Sequence, residues 1–178
     1  MNQPIIDTHL HIWDIEKLSY PWLVDVPPLN RSFTIGDYRA ATQNYTIEKM
    51  VFVQCEAEVA QYRDEVEFVS AVAREQEPRI RGIVAWAPLE KGEAAREDLE
   101  WLKRNPLVKG VRRIIQFEPD LEFCLRPDFI AGVRLLAEYG FTFDICIDWR
   151  HYESTLKFVE QLPEVPMILD HIGKPDIV

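Results

Sequence analysis

The sequence predicts an α/β fold with parallel strands, and three observations carry this prediction. Apolar runs of strand length recur along the chain of 178 residues, and longer segments with helical spacing separate them. Such alternation is typical of parallel strands that are joined by helical crossovers. No G-x-G-x-x-G pattern follows the first strand, so a dinucleotide-binding domain lacks its usual signature. A doubly wound open sheet and a TIM barrel both fit this order of elements.

Six apolar runs are predicted to be strands. Most are rich in Val, Ile and Phe, as strands that are buried on both faces should be. The six runs cover residues 4–12, 49–56, 80–89, 108–117, 141–148 and 165–173. A TIM barrel has eight strands and typically about 250 residues, so six βα units do not close one. The chain is therefore expected to be either an open sheet or the first part of a longer protein.

Four helices are predicted between the later strands, at residues 59–76, 92–105, 126–140 and 151–163. In the first of them, an apolar stripe runs at spacings of three and four residues. Its members are Val59, Tyr62, Val66, Val69, Val72 and Ala73. Residues 13–48 form a long insertion after the first strand, and FTIGDYRAAT (33–42) is predicted to start a further helix there. The insertion is rich in aromatic residues and proline. It is expected either to cap a site or to pack on the rim of the fold.

Composition and charge exclude several classes of partner. The net charge is −10 and the pI is about 4.9, and no basic patch offers the clustered Lys and Arg that nucleic acids require. Cys55, Cys124 and Cys146 are scattered without a CxxC pair, so they are expected to be buried free thiols of a reducing compartment. The chain start lacks a signal-peptide pattern, and no apolar run approaches the roughly 18 residues of a membrane helix. A cytoplasmic protein without a nucleic-acid or membrane partner is expected.

Two histidines lie two residues apart at the end of the first predicted strand, in IIDTHLHIWD (5–14). Because side chains alternate along a strand, His9 and His11 are predicted to share one face, with Asp7 one step deeper. Two such imidazoles, with His171 from the last predicted strand as a third, could bind a divalent metal such as zinc. They could equally hold a carbonyl oxygen by hydrogen bonds, or lie on the solvated side of an edge strand.

Other polar and aromatic residues lie at predicted strand ends, where parallel α/β folds form ligand sites. They are Gln54, Glu56, Trp86, Arg112, Gln116, Asp144, Asp148 and Lys174. Arg112 and Arg113 are predicted to point to opposite faces, and an inward Arg112 suits either carboxylate recognition or an internal ion pair. Asp170 and His171 are likewise predicted to point to opposite faces of the last strand. His151 begins a helical segment and is predicted to serve a helix end or to be solvated.

These motifs, taken in this order, resemble the amidohydrolase superfamily, in the branch called amidohydrolase family 2. The matching stretches are IIDTHLHIWD, YPWL, VFVQCE, GIVAWAPLE, VKGVRRIIQF and MILDHIGKP. They cover nearly the whole chain. Within that branch they are most similar to the group of lactonases that act on sugar lactones and pyrones.

The resemblance implies one (β/α)8 TIM-barrel domain over residues 1–178, incomplete at its C-terminus, with about six of the eight βα units. It implies a hydrolase of carbohydrate metabolism that opens a lactone by carbonyl polarisation and attack of water. Its catalytic residues would be His9, His11, Arg112 and His171. The three histidines would hold one divalent metal, zinc by preference, or act without a metal. The family's general base, an aspartate, is expected beyond residue 178.

The partner that the resemblance implies is a small-molecule lactone. The residues expected to bind it are Trp13, Trp22, Gln54, Trp86 and Gln116. Aromatic rings pack well on the apolar faces of ring substrates, although each tryptophan could instead fill the core or the rim. A homo-oligomer is left open. Two other functions also stay open, namely a metal-dependent decarboxylase of the same superfamily and an inactive truncated barrel that acts as a binding or interaction piece.

Overall fold

The computed structural model describes residues 3–177, in which six strands alternate with five α-helices. This order confirms the predicted α/β class. The chain divides into two compact units, Met1–Ala85 and Trp86–Val178. Whether residues 1–178 form one domain stays a prediction, and Val178 itself lies outside the described residues.

The first unit contains three parallel strands and two α-helices. They are β1 (Ile5–Leu10), α1 (Ile35–Ala41), β2 (Ile47–Val53), α2 (Tyr62–Glu75) and β3 (Ile80–Ala85). β2 pairs with both β1 and β3 in parallel. Leu10 lies opposite Phe52 in the β1–β2 register, so the end of β1 comes alongside the end of β2. The predicted stripe is confirmed along α2, where Val66, Val69, Val72 and Ala73 are buried. Its predicted start is wrong, because Val59 lies before α2 and is exposed.

The insertion between β1 and β2 folds into short turns followed by α1. Two 3-10 turns occupy Pro21–Asp25 and Pro27–Leu29, where proline sets φ for a turn without needing a hydrogen-bond donor. Helix α1 begins with a capping box, in which Thr34 caps the helix and the Asp37 carboxylate accepts from the Thr34 backbone N–H at 2.8 Å. The predicted helix start within FTIGDYRAAT is therefore confirmed.

The second unit contains the remaining strands and helices. They are α3 (Arg96–Lys103), β4 (Val108–Arg112), α4 (Pro127–Tyr139), β5 (Thr142–Ile145), α5 (Tyr152–Glu160) and β6 (Met167–Leu169). β5 pairs in parallel with both β4 and β6. Phe129 of α4, Phe143 of β5 and Phe158 of α5 form an aromatic core with ring centroids 5.8–6.0 Å apart. This core holds the two helices against the middle strand of the unit.

The sixth strand is shorter than predicted, and this corrects the prediction for its end. The apolar run 165–173 forms a strand only over Met167–Leu169, and Asp170–Gly173 is a 3-10 turn with left-handed residues. Asp170 is buried against Arg112, and His171 has φ +52°. Extended backbone does not contain such a φ, so the predicted strand alternation of Asp170 and His171 is wrong.

The fourth strand also ends early. It stops at Arg112 although the apolar run reaches residue 117. Beyond Arg112, the N–H groups of Ile115 and Gln116 both donate to the Cys146 carbonyl, at 3.0 and 3.1 Å. Two successive donors on one carbonyl do not continue a strand ladder. Gln116 is therefore on a loop that is tied to the end of β5.

The helices are of the length usual in globular domains, and the longest within the described part of the chain is α2, with 14 residues. Within residues 3–177, none of the helices combines the length and the apolar character that a bilayer span requires.

Candidate active site

The end of β1 brings two histidine rings into contact. His9 and His11 lie on the same side of the chain, with Nε2 of one ring 3.1 Å from Nε2 of the other and the rings nearly perpendicular. The intervening Leu10 and the following Ile12 are buried. Period-two alternation places these apolar side chains in the core and both imidazoles on the other side. The predicted common face of His9 and His11 is confirmed.

The protonation of His11 follows from its backbone partner. Nδ1 of His11 lies 2.8 Å from the Val53 carbonyl oxygen, which can only accept a hydrogen bond. Nδ1 therefore carries the proton, and Nε2 of the neutral ring is an acceptor directed at His9. The Cys55 thiol lies 3.5 Å from the same Nδ1. A histidine whose Nδ1–H is fixed by a backbone carbonyl is the usual form of a metal ligand or of a preorganised acceptor.

The separation of the two Nε2 atoms fits a zinc ion. Zinc–nitrogen bonds are about 2.0–2.1 Å long and structural sites are tetrahedral, so two ligand nitrogens should be about 3.3 Å apart. His9 and His11 are 3.1 Å apart at Nε2. This pair has the donor chemistry and the spacing for two ligands of one divalent metal, or for two hydrogen bonds to one oxygen.

Asp7 stabilises the backbone of β1 at His9, a role that the sequence pattern did not predict. Its Oδ1 accepts from the His9 backbone N–H at 3.1 Å, and its Oδ2 accepts from the Tyr38 hydroxyl at 2.7 Å. Burial and this hydrogen bond raise the pKa of Tyr38. Helix α1 of the insertion is thereby tied to the strand that carries His9. The spacing of Asp7 relative to His9 was visible in the sequence, but its partner 31 residues away was not.

Gln54 and Glu56 form a closed pair at the end of β2. The Gln54 amide donates to Glu56 Oε1 at 2.9 Å, and the Glu56 backbone N–H donates to Gln54 Oε1 at 2.6 Å. Glu56 has φ +55°, a conformation that residues with a side chain rarely adopt and that clusters at functional sites. Gln54, which was predicted to bind substrate, is buried, whereas Glu56 is half-buried.

The two tryptophans of the insertion have structural contacts. Trp13 is buried, pairs with Phe33 in an isolated antiparallel bridge, and donates from Nε1 to the Arg31 carbonyl at 2.7 Å. Trp22 is half-buried and donates from Nε1 to the Cys55 carbonyl at 2.8 Å. Trp22 thus joins the insertion to the end of β2. The predicted contact of both rings with substrate stays a prediction.

In the second unit, Arg112 and Asp170 form a buried ion pair. Arg112 Nη1 lies 3.0 Å from Asp170 Oδ2, and both side chains are almost completely buried. This is the internal ion pair that was one of the two alternatives for Arg112. Arg113 is half-buried, as opposite faces require, and contacts Glu90 and Glu118. Because Asp170 meets Arg112 58 positions away in sequence, the strand pattern did not reveal the pair.

Asp144 of β5 lies in the same buried environment. Burial and then the negative charge of Asp170 raise its pKa from 3.8 to about 7, although Arg112 opposes the shift. A buried carboxyl in this range exchanges its proton near neutral pH. The sequence placed Asp144 at the fifth strand, but its environment depends on residues from two other parts of the chain.

A left-handed turn carries His171 and Lys174. His171, Ile172, Gly173 and Lys174 have φ values of +50° to +70°, and the Lys174 N–H donates to the His171 carbonyl at 3.0 Å. His171 is exposed. Partial desolvation of the ring and the positive charge of Lys174 lower its pKa, which favours the neutral imidazole that binds metals and accepts hydrogen bonds.

Gln116 and Lys174 contact each other and Cys146. Lys174 Nζ donates to Gln116 Oε1 and lies 3.3 Å from Cys146 Sγ. The thiol also lies 3.7 Å from Gln116 Oε1. Burial raises the pKa of Cys146 although Arg112 and Lys174 oppose the shift, so the thiol is neutral. Cys55, Cys124 and Cys146 are all buried and free, as predicted.

The remaining candidates are Trp86, Asp148 and His151. Trp86 directly follows β3 and is half-buried. Asp148 binds Arg150, and hydrogen bonds from Arg150 lower its pKa to about 2. His151 precedes α5 as its N-cap residue and is fully buried, with Nδ1 3.1 Å from Asp148 Oδ1. Its predicted position at a helix end is confirmed, and the alternative of a solvated ring is wrong.

Comparison with known proteins gives relatives of defined activity. A family model described as Amidohydrolase matches residues 6–178. The chain is 24% identical to L-rhamnono-gamma-lactonase of Scheffersomyces stipitis, covering 96% of this chain and 61% of the relative. It is 23% identical to L-fucono-1,5-lactonase of Burkholderia ambifaria, covering 97% of this chain and 58% of the relative. The chain therefore spans about three-fifths of the length of these curated relatives.

Solved structures agree on the fold. Amidohydrolase 2 from Bifidobacterium longum subsp. infantis matches with 26% identity and a TM-score of 0.73, over 98% of this chain and 64% of that one. An amidohydrolase from Burkholderia multivorans with bound zinc matches with 24% identity and a TM-score of 0.76, over 98% of this chain and 59% of that one. The predicted fold class, six βα units of the TIM-barrel type, is confirmed. The chain belongs to the amidohydrolase family.

Proposed function

We propose that this chain belongs to a hydrolase that opens a lactone by carbonyl polarisation and attack of water. The observation that carries the proposal is the His9–His11 pair, with its two Nε2 atoms 3.1 Å apart and the His11 tautomer fixed by the Val53 carbonyl. Groups that are preorganised around a developing oxyanion often contribute more than any other feature of an enzyme to the rate of acyl transfer. The two relatives named as lactonases support this choice of reaction.

In this proposal His9 and His11 bind the carbonyl oxygen of the lactone, and His171 stays the third histidine that the family resemblance implies. The Nδ1–H of His11 stays on the Val53 carbonyl, so its Nε2 keeps one orientation during the reaction. Asp7 holds the backbone of His9 in place. A zinc ion, when bound by these histidines, supplies Lewis-acid polarisation of the carbonyl oxygen. The relative whose structure contains zinc supports such a metal.

In the proposal, Arg112 contributes a fixed positive charge to the site. Its guanidinium is fixed by Asp170 at 3.0 Å, so its positive charge is preorganised near His171, which follows Asp170 in the chain. The water that attacks the carbonyl carbon loses its proton to a carboxylate. That carboxylate is the aspartate that the family resemblance expects beyond residue 178. The tetrahedral intermediate then collapses with cleavage of the ring C–O bond, and the leaving alkoxide takes the proton from that carboxylate, so the product carries a carboxylic acid and a hydroxyl group.

Substrate contacts complete the proposal. The residues proposed to contact the lactone ring are Trp13, Trp22, Gln54, Trp86 and Gln116. Trp22, Trp86 and Gln116 are half-buried and are the more accessible of these. A cytoplasmic location and a homo-oligomer stay predictions.

The first test measures metal content and lactone opening together. Zinc per chain is measured by atomic emission after dialysis, for the unmodified chain and for His11→Ala. We expect one zinc per chain, and its loss in His11→Ala because one of two converging nitrogens is removed. His151→Gln is the matched control, since His151 contacts Asp148 and takes no part in the pair. Zinc retained equally in all three chains would contradict this assignment of the metal ligand.

Lactone opening is followed by the proton that hydrolysis releases. A panel of sugar γ- and δ-lactones and pyrone carboxylates is assayed with and without chelator, using a chain that includes the segment beyond residue 178 where the source encodes one. Opening of at least one lactone that His11→Ala abolishes supports the proposal. Release of carbon dioxide from an aromatic acid, without lactone opening, would replace it with the decarboxylase alternative.

A further inference from the structure

Lys174 carries a positive charge that its neighbours do not neutralise. Its Nζ contacts Gln116 Oε1 and Cys146 Sγ, which are an amide oxygen and a thiol whose pKa burial raises. Among residues 3–177, no carboxylate lies within ion-pair distance of Lys174 Nζ. Lys174 is nevertheless half-buried. An ammonium group whose contacts are an amide oxygen and a neutral thiol keeps its positive charge available to an anionic ligand.

The contact with Lys174 also fixes the orientation of the Gln116 amide. An ammonium group has three donors and no acceptor, so the atom of Gln116 that faces it is the oxygen. The Cys146 thiol lies 3.7 Å from the same oxygen. The amide nitrogen Nε2 is thereby turned away from Lys174, and the described residues provide it with no acceptor. Lys174 and Gln116 together present donors only.

The backbone holds Lys174 in this position. Lys174 ends the left-handed turn that begins at His171, with φ +50°. A side chain on Gly173 would meet the Tyr152 ring at 3.0 Å, so the turn packs closely on α5. The start of the turn is fixed by the Arg112–Asp170 ion pair. The turn that carries His171 therefore also sets the position of the ammonium group.

We propose that Lys174 and Gln116 form a carboxylate-binding subsite, so that the substrate is a lactone that carries a carboxylate group. This inference rests on the proposed function, and it specifies the substrate class. Lys174 would supply a charge-assisted hydrogen bond, and the Gln116 Nε2 group would supply a neutral one. A sugar hydroxyl both donates and accepts, so a set of donors with an uncompensated positive charge selects an anion instead. Arg112 does not bind this carboxylate, because its side chain is almost completely buried in the ion pair with Asp170.

Binding of a stable carboxylate probe tests the subsite without any reaction. The probe is isophthalate, an aromatic dicarboxylate, and its neutral counterpart is isophthalamide, which has the same ring. Dissociation constants are measured by calorimetry on the chelator-dialysed chain. We expect isophthalate to bind more tightly than isophthalamide. In Lys174→Met its affinity should fall about tenfold, the effect of losing one charge-assisted hydrogen bond, while isophthalamide is unaffected.

Lys157→Met is the matched control, because Lys157 is an exposed lysine on α5 of the same unit and the substitution changes the charge equally. Equal isophthalate affinity in Lys174→Met and Lys157→Met would overturn the proposal. Circular dichroism checks that the variants are folded. If Lys174→Met does not fold, the salt dependence of binding to the unmodified chain tests the subsite instead. The affinity for isophthalate should fall as ionic strength rises, whereas the affinity for isophthalamide should not change. Equal salt dependence of the two probes would overturn the subsite.

The subsite and the proposed function fail separately. Opening of neutral lactones with no preference for carboxylate-bearing ones would overturn the subsite and leave the lactonase proposal standing. Isophthalate binding that depends on Lys174, together with no opening of any lactone in the panel described above, would support the subsite and contradict the lactonase proposal.

Discussion

Asp144→Asn tests the electrostatics of the buried group around Arg112. Asp144 is 3% exposed, and its pKa is raised from 3.8 to about 7 by burial and by Asp170. A folded state that raises the pKa of an acid binds that proton more tightly than the unfolded state does. The contribution of Asp144 to the free energy of unfolding should therefore be complete below about pH 4 and be lost as the pH rises through about 7.

The size of the effect follows from the pKa. One pKa unit corresponds to about 1.4 kcal/mol, so the rise from 3.8 to about 7 gives a loss of about 4 kcal/mol. Asn is close in shape to the protonated carboxyl and does not ionise. Asp144→Asn should exceed the free energy of unfolding of the unmodified chain by only about 1 kcal/mol near pH 4.5 and by about 4 kcal/mol at pH 8.

Urea unfolding at pH 4.5 and pH 8, followed by circular dichroism, measures this difference. Taking the variant relative to the unmodified chain removes the contributions of the other carboxyl groups. Asp64→Asn is the control, since Asp64 is exposed on α2 and the substitution removes the same type of carboxyl group. A stability difference between Asp144→Asn and the unmodified chain that is independent of pH would refute the reasoning.

Three further perturbations have defined outcomes. Arg112→Met should lower the free energy of unfolding by about 3–5 kcal/mol in urea titrations, because it removes the cation that pairs with the buried Asp170. Adding Asp170→Leu should restore most of that stability. A double variant that is as unstable as Arg112→Met would contradict this prediction. Gly132→Ala should lower the free energy of unfolding by more than about 3 kcal/mol in the same titration, since the new Cβ would lie 2.0 Å from the Leu89 carbonyl oxygen. Unchanged stability would contradict this and show that α4 can move. Ile172→Asn should raise the melting temperature by relieving about 1 kcal/mol of backbone strain, because Ile172 has φ +56° and is 81% exposed. A lowered melting temperature would mean that the Ile172 side chain stabilises the fold.

Local sequence pattern was sufficient for most of the fold. The alternation of apolar runs with helical stripes predicted all six strands and the α/β class, because burial on both faces of a parallel strand leaves a continuous apolar run. The stripe of Val66, Val69 and Val72 predicted which side of α2 is buried. Strand ends were predicted less well, since a run such as 165–173 stays apolar after the backbone has left the strand.

The His9–His11 pair was predictable because its geometry is local. Two residues on one strand share a face whenever they are two positions apart, and the structure places their Nε2 atoms 3.1 Å from each other. The tautomer of His11 was not predictable, because its partner is the Val53 carbonyl on the neighbouring strand. The support of His9 by Asp7 and Tyr38 likewise depends on where α1 packs.

The sequence by itself determined the order of the strands and helices, the shared face of His9 and His11, and the resemblance to the amidohydrolase family. These depend on periodicity and on short motifs, which are properties of neighbouring residues. Only the tertiary structure decided that Asp170 pairs with Arg112, that Asp144 has a raised pKa, and that Lys174 contacts Gln116 and Cys146. Each of these joins residues far apart in the chain, and a charge takes its energy from the groups that surround it in space.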